Sequence, residues 1–361
     1  MMANWLHKKM RTHTDVHTPS AAARQRRQSL QTALRITAAL QTAAQMLLWV
    51  TFYGYDALRQ SVWLSALLLL APLLALWGLW RAGQGALKTH AGRLAALPLT
   101  LCLAADGALL LCALAEYISH LIPEYPFWIC AVTPAILCLC AVWISGANGV
   151  PYGCQALCGL ILPLFLLGTL ALGASASQSR LHPLLGPGWP AIGLGALSGC
   201  GCLWGGNGQY LTDVPLEKKR SILWTLLPWL ALMVWALWYG MVRPWAPGDV
   251  LDGGAQLTAL ARHAQNVVVF EISGVLWLLL LPLSLTGCLY TGRLLLERAL
   301  PHAPRNLWPL ALLLPGIVGL LLWRDGFIPL LSRVLPWRGA VSLLCGAALW
   351  VISMGKDRKT S

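Results

Sequence analysis

Long apolar stretches recur along the chain from about residue 34 onward, separated by short segments with charged residues, proline or glycine. An apolar stretch of about 20 residues is long enough to cross a bilayer as an α-helix. The pattern predicts ten such helices, at about residues 34–54, 61–80, 95–118, 126–145, 152–173, 188–208, 222–242, 267–290, 307–323 and 337–354. The sequence therefore predicts an all-α polytopic membrane protein.

Composition and charge agree with this class. Hydrophobic residues make up 57% of the chain and charged residues 11%, whereas soluble domains carry about 25% charged residues. The net charge of +13 reflects basic residues clustered in the N-terminal tail and between the apolar stretches, the arrangement that orients membrane proteins. We therefore expect an integral multi-pass protein with both termini cytoplasmic, contacts with membrane lipids, and no nucleic-acid partner.

The ten predicted helices divide into five plus five. We expect a basic cytoplasmic tail at 1–33, helices 1–5 within 34–175, helices 6–10 within 176–355, and a short cytoplasmic tail at 356–361. Because five is an odd number, the second set enters the membrane upside down relative to the first. Such inverted repeats build many secondary transporters, in which the first and sixth helices are equivalent and flank the substrate.

The predicted sixth helix is unusually rich in glycine. Nine glycines lie between Gly186 and Gly208, and glycine disfavours a helix interior. A break in a membrane helix is tolerated only where protein or a water-lined cavity satisfies the freed backbone N–H and C=O groups. We therefore predict a broken sixth helix whose backbone at Gly199, Cys200, Gly201 and Cys202 contributes to a ligand site. Half-helix N-termini there would favour a carboxylate.

Asp106 lies near the centre of the predicted third helix, in the run LCLAADGALLL. A charge at this depth is a functional hypothesis by default. Asp106 could coordinate a cation, bind the ammonium of a ligand or exchange a proton. Alternatively, it is a buried acid bonded to a neighbouring helix.

Polar residues of the first and eighth helices complete the candidate site. Gln41 and Gln45 are four residues apart and share a helix face, so they either bond to another helix or line a cavity. Glu271 either lines an outer vestibule or remains hydrated near the membrane–water interface. The predicted ligand site comprises Gln41, Thr42, Gln45, Asp106, Gly199, Cys200, Gly201, Cys202, Glu271 and Ser273.

Signatures of catalysis and metal binding are missing from the sequence. It holds no GxSxG, no HExxH and no P-loop, so we expect no enzyme and no cofactor. The 11 cysteines lie mostly inside predicted helices, and their spacing fits neither a disulfide framework nor a zinc site. Cys200 and Cys202 would make a poor metal pair, so we interpret the cysteines as packing residues.

Four stretches carry a family resemblance. Residues 56–79 place an acidic residue before Trp-Leu-Ser and a run of leucines, and residues 113–150 hold a Glu, a Pro-x-x-Pro turn and a later Gly. Residues 180–201 read Leu-x-Pro-Leu, Gly-x-Gly and Pro, and residues 270–296 cover the eighth helix. In this order they resemble the spore germination permeases, the B subunits of spore germinant receptors, within the amino acid–polyamine–organocation transporter superfamily.

The resemblance implies a function that residue patterns alone do not give. It implies a ten-helix bundle in the spore inner membrane or the cell membrane, acting with A-type and C-type receptor subunits. A small nutrient germinant such as an amino acid would bind between the first, third, sixth and eighth helices and trigger germination. The alternative is a proton- or sodium-coupled secondary transporter of amino acids or organic cations.

Overall fold

The computed structural model describes residues 21–50, 58, 61–83, 86, 89–173, 176–181, 187–201, 221–242, 267–300 and 307–360. Among these residues we distinguish ten helical segments. They are α1 (Ala21–Leu48), α2 (Val62–Gly83), α3 (His90–Leu121), α4 (Phe127–Ile144), α5 (Gly146–Gly173), α6 (Trp189–Cys200), α7 (Ser221–Val242), α8 (Val267–Ala299), α9 (Trp308–Leu322) and α10 (Trp337–Gly355).

Each predicted helix corresponds to one of these segments. Seven of the described helices are long and apolar enough to cross a membrane, namely α2, α3, α4, α5, α7, α8 and α10, and α9 is a shorter apolar helix. The prediction of an all-α polytopic membrane protein is confirmed. In its mean composition α1 is more polar than the others, and the 12 residues of α6 reach only about 18 Å.

Local sequence signals set several helix ends. The Thr89 hydroxyl caps α3 by accepting from the backbone N–H of Gly92 at 3.0 Å, as threonine commonly does. The predicted Pro-x-x-Pro turn, Pro123 to Pro126, connects α3 to α4. At α6, Pro190 occupies the first turn, where its missing N–H costs no hydrogen bond.

The connection between α9 and α10 differs from the prediction of two helices joined by a loop. Helical hydrogen bonding runs from Trp308 to Thr360. A straight helix would separate Gly316 from Arg338 by about 33 Å. Instead, Gly316 packs on Ala108 and Arg338 contacts Asp106, only two residues apart in α3. The connection therefore bends, and α9 and α10 reach the same level of α3.

The helix contacts repeat between the two halves of the chain. Helix α1 packs on α5 as α6 packs on α10, and α2 packs on α6 as α7 packs on α1. Likewise α3 packs on α4 as α8 packs on α9, and α3 packs on α10 as α8 packs on α5. Adding five to each helix number thus converts one set of contacts into the other. This is the packing expected of the predicted five-plus-five repeat.

Candidate functional site

The short helix α6 is held in place by α2. The Ser65 hydroxyl donates to the carbonyl of Ile192 at 2.7 Å. Gly195 allows this close approach, since a β-carbon there would lie 2.6 Å from Leu58 and 2.8 Å from the Ser65 hydroxyl. The described helix ends at Cys200, with Gly201 as its cap, and its 12 residues span about 18 Å of the roughly 30 Å of a hydrocarbon core.

A hydrogen bond ties the end of α1 to α6. The indole N–H of Trp49 donates to the Ser198 hydroxyl at 2.7 Å, and that hydroxyl donates to the carbonyl of Gly195 at 2.8 Å. Both side chains are fully buried. Trp49 and the following Val50 adopt a π-helical turn after α1, a feature often found at functional sites. The two helices that the repeat makes equivalent are therefore directly bonded.

Replacing Trp49 by phenylalanine tests this link. The change removes the indole donor and leaves a buried hydroxyl with one partner fewer, so we expect a loss of about 1–2 kcal/mol in the free energy of unfolding. Denaturant unfolding of the purified protein measures it. Trp128→Phe is the matched control, because Trp128 is 57% exposed in α4 and should change little. Equal losses in both variants would contradict the assigned role of the hydrogen bond.

Asp106 forms an ion pair with Arg338 of α10. The guanidinium Nη1 contacts the carboxylate Oδ1, and both side chains are buried, at 0% and 2% exposed. Of the two alternatives left open by the sequence, the buried acid bonded to a neighbouring helix describes this contact. Arg338 is the second residue of the predicted tenth helix, and it lies inside the bundle, where the Asp106 carboxylate balances its charge.

Arg338 also stands against the last turn of α6. A β-carbon at Gly201 would lie 2.8 Å from the Arg338 Nε, and one at Gly339 would overlap the carbonyl oxygen of Leu197. The C-terminal end of a helix carries about half a negative charge on its free carbonyls. One guanidinium therefore serves two negative groups, the Asp106 carboxylate and the end of α6.

The expected preference for a carboxylate depends on a half-helix N-terminus after the break, which would lie outside the described residues. The end of α6 that contacts Arg338 is a C-terminal end, which attracts positive charge. Gly199 packs on Trp49 and Leu69, and Cys200 is fully buried. Cys202 lies outside the described residues. The local field of the described part therefore favours a cationic group.

Polar side chains of α1 and α8 form a second part of the candidate site. Gln41 packs closely on Gly287 of α8: a β-carbon at Gly287 would overlap the side-chain amide of Gln41. On the same face of α8, the buried hydroxyls of Ser284 and Thr291 have no hydrogen-bond partner in the part of the chain that is described. Gln45 is also buried, at 1% exposed. We call Gln41, Gln45, Ser284, Gly287 and Thr291 the α1–α8 polar seam.

The remaining predicted residues lie apart from this centre. Thr42 is buried on α1, Glu271 is exposed at the start of α8, and Ser273 is partly buried. A β-carbon at Gly274, next to Ser273, would lie 3.1 Å from the Tyr117 hydroxyl. Tyr117 is eleven residues beyond Asp106, about 16 Å along α3. Glu271 and Ser273 thus lie near the Tyr117 end of α3, away from Asp106.

Sequence reasoning missed several polar residues at the centre. Arg338 is the second residue of an apolar run, and its depth is fixed by a partner more than 200 residues away. Ser284 and Thr291 are common residue types in helices, and only the structure shows that their hydroxyls are buried without a partner among the described residues. Away from the centre, beside Tyr117 on α3, Glu116 is also buried, at 5% exposed. For Arg338 the available signal was an arginine starting a predicted helix without a nearby acid.

Among the described residues the cysteines form neither disulfides nor a metal site. Ten of the cysteines lie among the described residues and all ten are free, eight of them buried. The same residues hold no group of three or more His, Cys, Asp or Glu side chains placed to bind a metal ion. Cys288 donates to the carbonyl of Leu103 at 3.2 Å, which fits the predicted packing role.

The packed helices, the short α6 and the repeated contacts define a multi-pass membrane protein with a secondary-transporter fold. Among solved structures, the chain is similar to the Eremococcus coleocola manganese transporter in complex with an aromatic bis-isothiourea substituted compound. The TM-score is 0.55 at 15% identity, covering 94% of this chain and 79% of that chain. A histidine-to-alanine mutant of that transporter gives 0.54 at 18% identity, covering 90% and 76%.

These comparisons show a likeness in fold. Both solved structures are of a manganese transporter. No protein-family model and no curated protein matches the sequence.

Proposed function

We propose that this protein is a secondary transporter of a small solute that carries a positive charge, such as an amino acid or an organic cation, coupled to protons or sodium. The carrying observation is the buried Asp106–Arg338 pair at the end of the short α6. A single positive charge there faces a full and a partial negative charge. This imbalance favours one further positive group.

The ion pair suggests how binding is coupled to movement. In the described conformation Arg338 occupies the place beside Asp106 that a cationic solute would take. An entering ammonium group would compete for the carboxylate and release Arg338 toward the carbonyls at the end of α6. Because α3, α6 and α10 meet at this point, the exchange would change how these helices pack. A ligand shifts an equilibrium only when it binds one conformation better.

The α1–α8 polar seam would supply the other contacts. Gln41 and Gln45 carry amide groups that both donate and accept, and the hydroxyls of Ser284 and Thr291 are available as donors. A zwitterionic solute could place its carboxylate among these donors. The proposed backbone contacts remain Gly199, Cys200, Gly201 and Cys202, with Thr42 at the edge. Glu271 and Ser273 are proposed to line the outer entrance.

Uptake into proteoliposomes tests the proposal. Purified full-length protein would be supplied with labelled amino acids or labelled organic cations under a proton or sodium gradient. For a transported solute, Asp106→Asn should lower uptake about tenfold or more, since losing 1.4 kcal/mol of binding is a factor of ten. Glu124→Gln is the matched control, because Glu124 is exposed in the α3–α4 turn.

Misfolding must be separated from loss of binding. In the double variant Asp106→Asn with Arg338→Gln the buried site is neutral, so it should elute as a folded protein and still fail to accumulate solute. Full uptake by folded Asp106→Asn would show that the site lies elsewhere. If no solute of either class accumulates in the unaltered protein, the transport proposal is overturned.

A second candidate is the germinant-sensing subunit, favoured by the ordered resemblance of the stretches 56–79, 113–150, 180–201 and 270–296. Such a subunit would bind a nutrient at the same site, in the spore inner membrane, and act with A-type and C-type subunits. It predicts no uptake, but a loss of germination toward particular nutrients when the gene is deleted. Neighbouring genes for the two partner subunits are the cheapest supporting observation.

A further inference from the structure

Arg35 of α1 is a buried cation without a counter-charge in the described structure. The residue is 8% exposed, and its Nε and Nη2 atoms are buried with no hydrogen-bond partner among the described residues. Burying a charge is unfavourable unless it is paired and hydrogen-bonded. In the predicted topology Arg35 is the second residue of the first span, at the end that adjoins the basic tail. The side chain is therefore suited to an anion at the membrane surface.

An apolar cavity begins at Ile36, the next residue of α1. It has a volume of about 290 Å³ and lies between α1, α5, α7 and α8, lined by apolar and aromatic side chains and the Cys158 thiol. Its lining on α1 runs from Ile36 to Leu47, about 16 Å. The cavity is thus long enough, and dry enough, for a stretch of hydrocarbon chain.

The walls of the cavity show from which side it is filled. Leu162 and Leu227 each remain 51% exposed, whereas Leu276 and Leu280 are only 3% and 2% exposed. In a membrane, an exposed leucine on a spanning helix contacts acyl chains. The cavity therefore has a lipid-facing rim and a floor inside the bundle.

The cation and the cavity adjoin one another. Arg35 and Ala39 are four residues apart and share a face of α1, and Ala39 lines the cavity. We infer that this is a binding site for an anionic amphiphile, with its phosphate or carboxylate on Arg35 and its hydrocarbon chain in the cavity. An acidic phospholipid and a free fatty acid have the same two chemical features.

Occupancy of this site would act on α1. The cavity lining on α1 includes Leu40 and Ala43, whereas Gln41 and Gln45 face the α1–α8 polar seam. A hydrocarbon chain in the cavity would pack on the side of α1 opposite Gln41 and Gln45, and would hold the polar face of α1 against α8. The site is independent of whether the protein transports or senses its solute.

Photolabelling of the full-length protein in nanodiscs tests the site. The probes are palmitate and phosphatidylglycerol, each with a diazirine in mid-chain, and phosphatidylcholine with the same chain. We expect labels concentrated on peptides containing residues 36–47, 158–165 and 224–231. Arg35→Gln should reduce labelling by the anionic probes about tenfold, which is about 1.4 kcal/mol, and leave phosphatidylcholine unchanged. Arg81→Gln, at an exposed arginine of α2, is the control.

A second variant tests the chain half of the site. Ala43→Phe fills the cavity and should abolish labelling of these peptides, whereas Ala75→Phe, at an exposed position of α2, should not. Labelling by phosphatidylglycerol alone would identify a phospholipid, and labelling by palmitate alone a fatty acid. Labels spread evenly over lipid-facing residues such as Leu137 and Leu170 would overturn the proposal. Anionic-probe labelling that is unchanged in Arg35→Gln would also overturn it.

Discussion

Replacing Arg338 by methionine is expected to lower the free energy of unfolding by about 3–5 kcal/mol, because it leaves the Asp106 carboxylate buried without its charge partner. Asp106→Leu should cost a similar amount by stranding the guanidinium. The double variant should recover most of this loss, since a buried ion pair can often be replaced by well-packed apolar side chains at little cost. Denaturant unfolding of the four proteins in one detergent measures the cycle.

Arg333→Met changes an exposed arginine of the same continuous helix and should stay within about 0.5 kcal/mol of the unaltered protein. Two single losses that simply add in the double variant would mean that Asp106 and Arg338 act independently. In that case the ion pair contributes no coupling between α3 and α10.

Gly339→Ala is expected to destabilise the protein by about 1–3 kcal/mol, the usual cost of overpacking. The β-carbon would overlap the carbonyl oxygen of Leu197 in α6, and neither backbone can give way like the tip of a flexible side chain. Intrinsic propensity predicts the opposite sign, since alanine is better than glycine in a helix by about 1 kcal/mol. The thermal midpoint of the purified protein distinguishes the two.

Gly193→Ala provides the comparison on the other side of this contact. Gly193 lies in α6 and a β-carbon there meets nothing within 4 Å, so its midpoint should stay the same or rise. A rise in both variants would mean that α6 and α10 are not in backbone contact. A fall in Gly339→Ala alone would establish the close approach that places Arg338 at the end of α6.

The fold class could be predicted because a membrane imposes strong periodic constraints on sequence. An apolar stretch of fixed length needs no knowledge of its neighbours, and the ten predicted helices required only such stretches. The bent connection between α9 and α10 was not predictable. Its charged residues resemble an outer loop, although hydrogen bonding continues through them as a helix.

The candidate site was only partly predictable because pairing depends on distant residues. Asp106 was found from its depth alone, and Gln41 and Gln45 from their spacing. Nothing near Arg338 in the sequence indicates that its partner is Asp106, and its buried position follows from that pairing. Similarly, Gly287 becomes significant only when the Gln41 amide is seen to occupy the space of its missing side chain.

The two equivalent contacts between the structural repeats differ, because one contains an ion pair and the other does not. The ion pair Asp106–Arg338 joins α3 to α10, but the equivalent helices α8 and α5 meet through Ile272 and Gly168, with no ion pair between them among the described residues. Exchanging the roles of the repeats would break an ionic contact on one side without forming one on the other. For the proposed transporter, the inward-open and outward-open forms should therefore be unequally populated at rest, and the proposed cationic solute would reduce that bias.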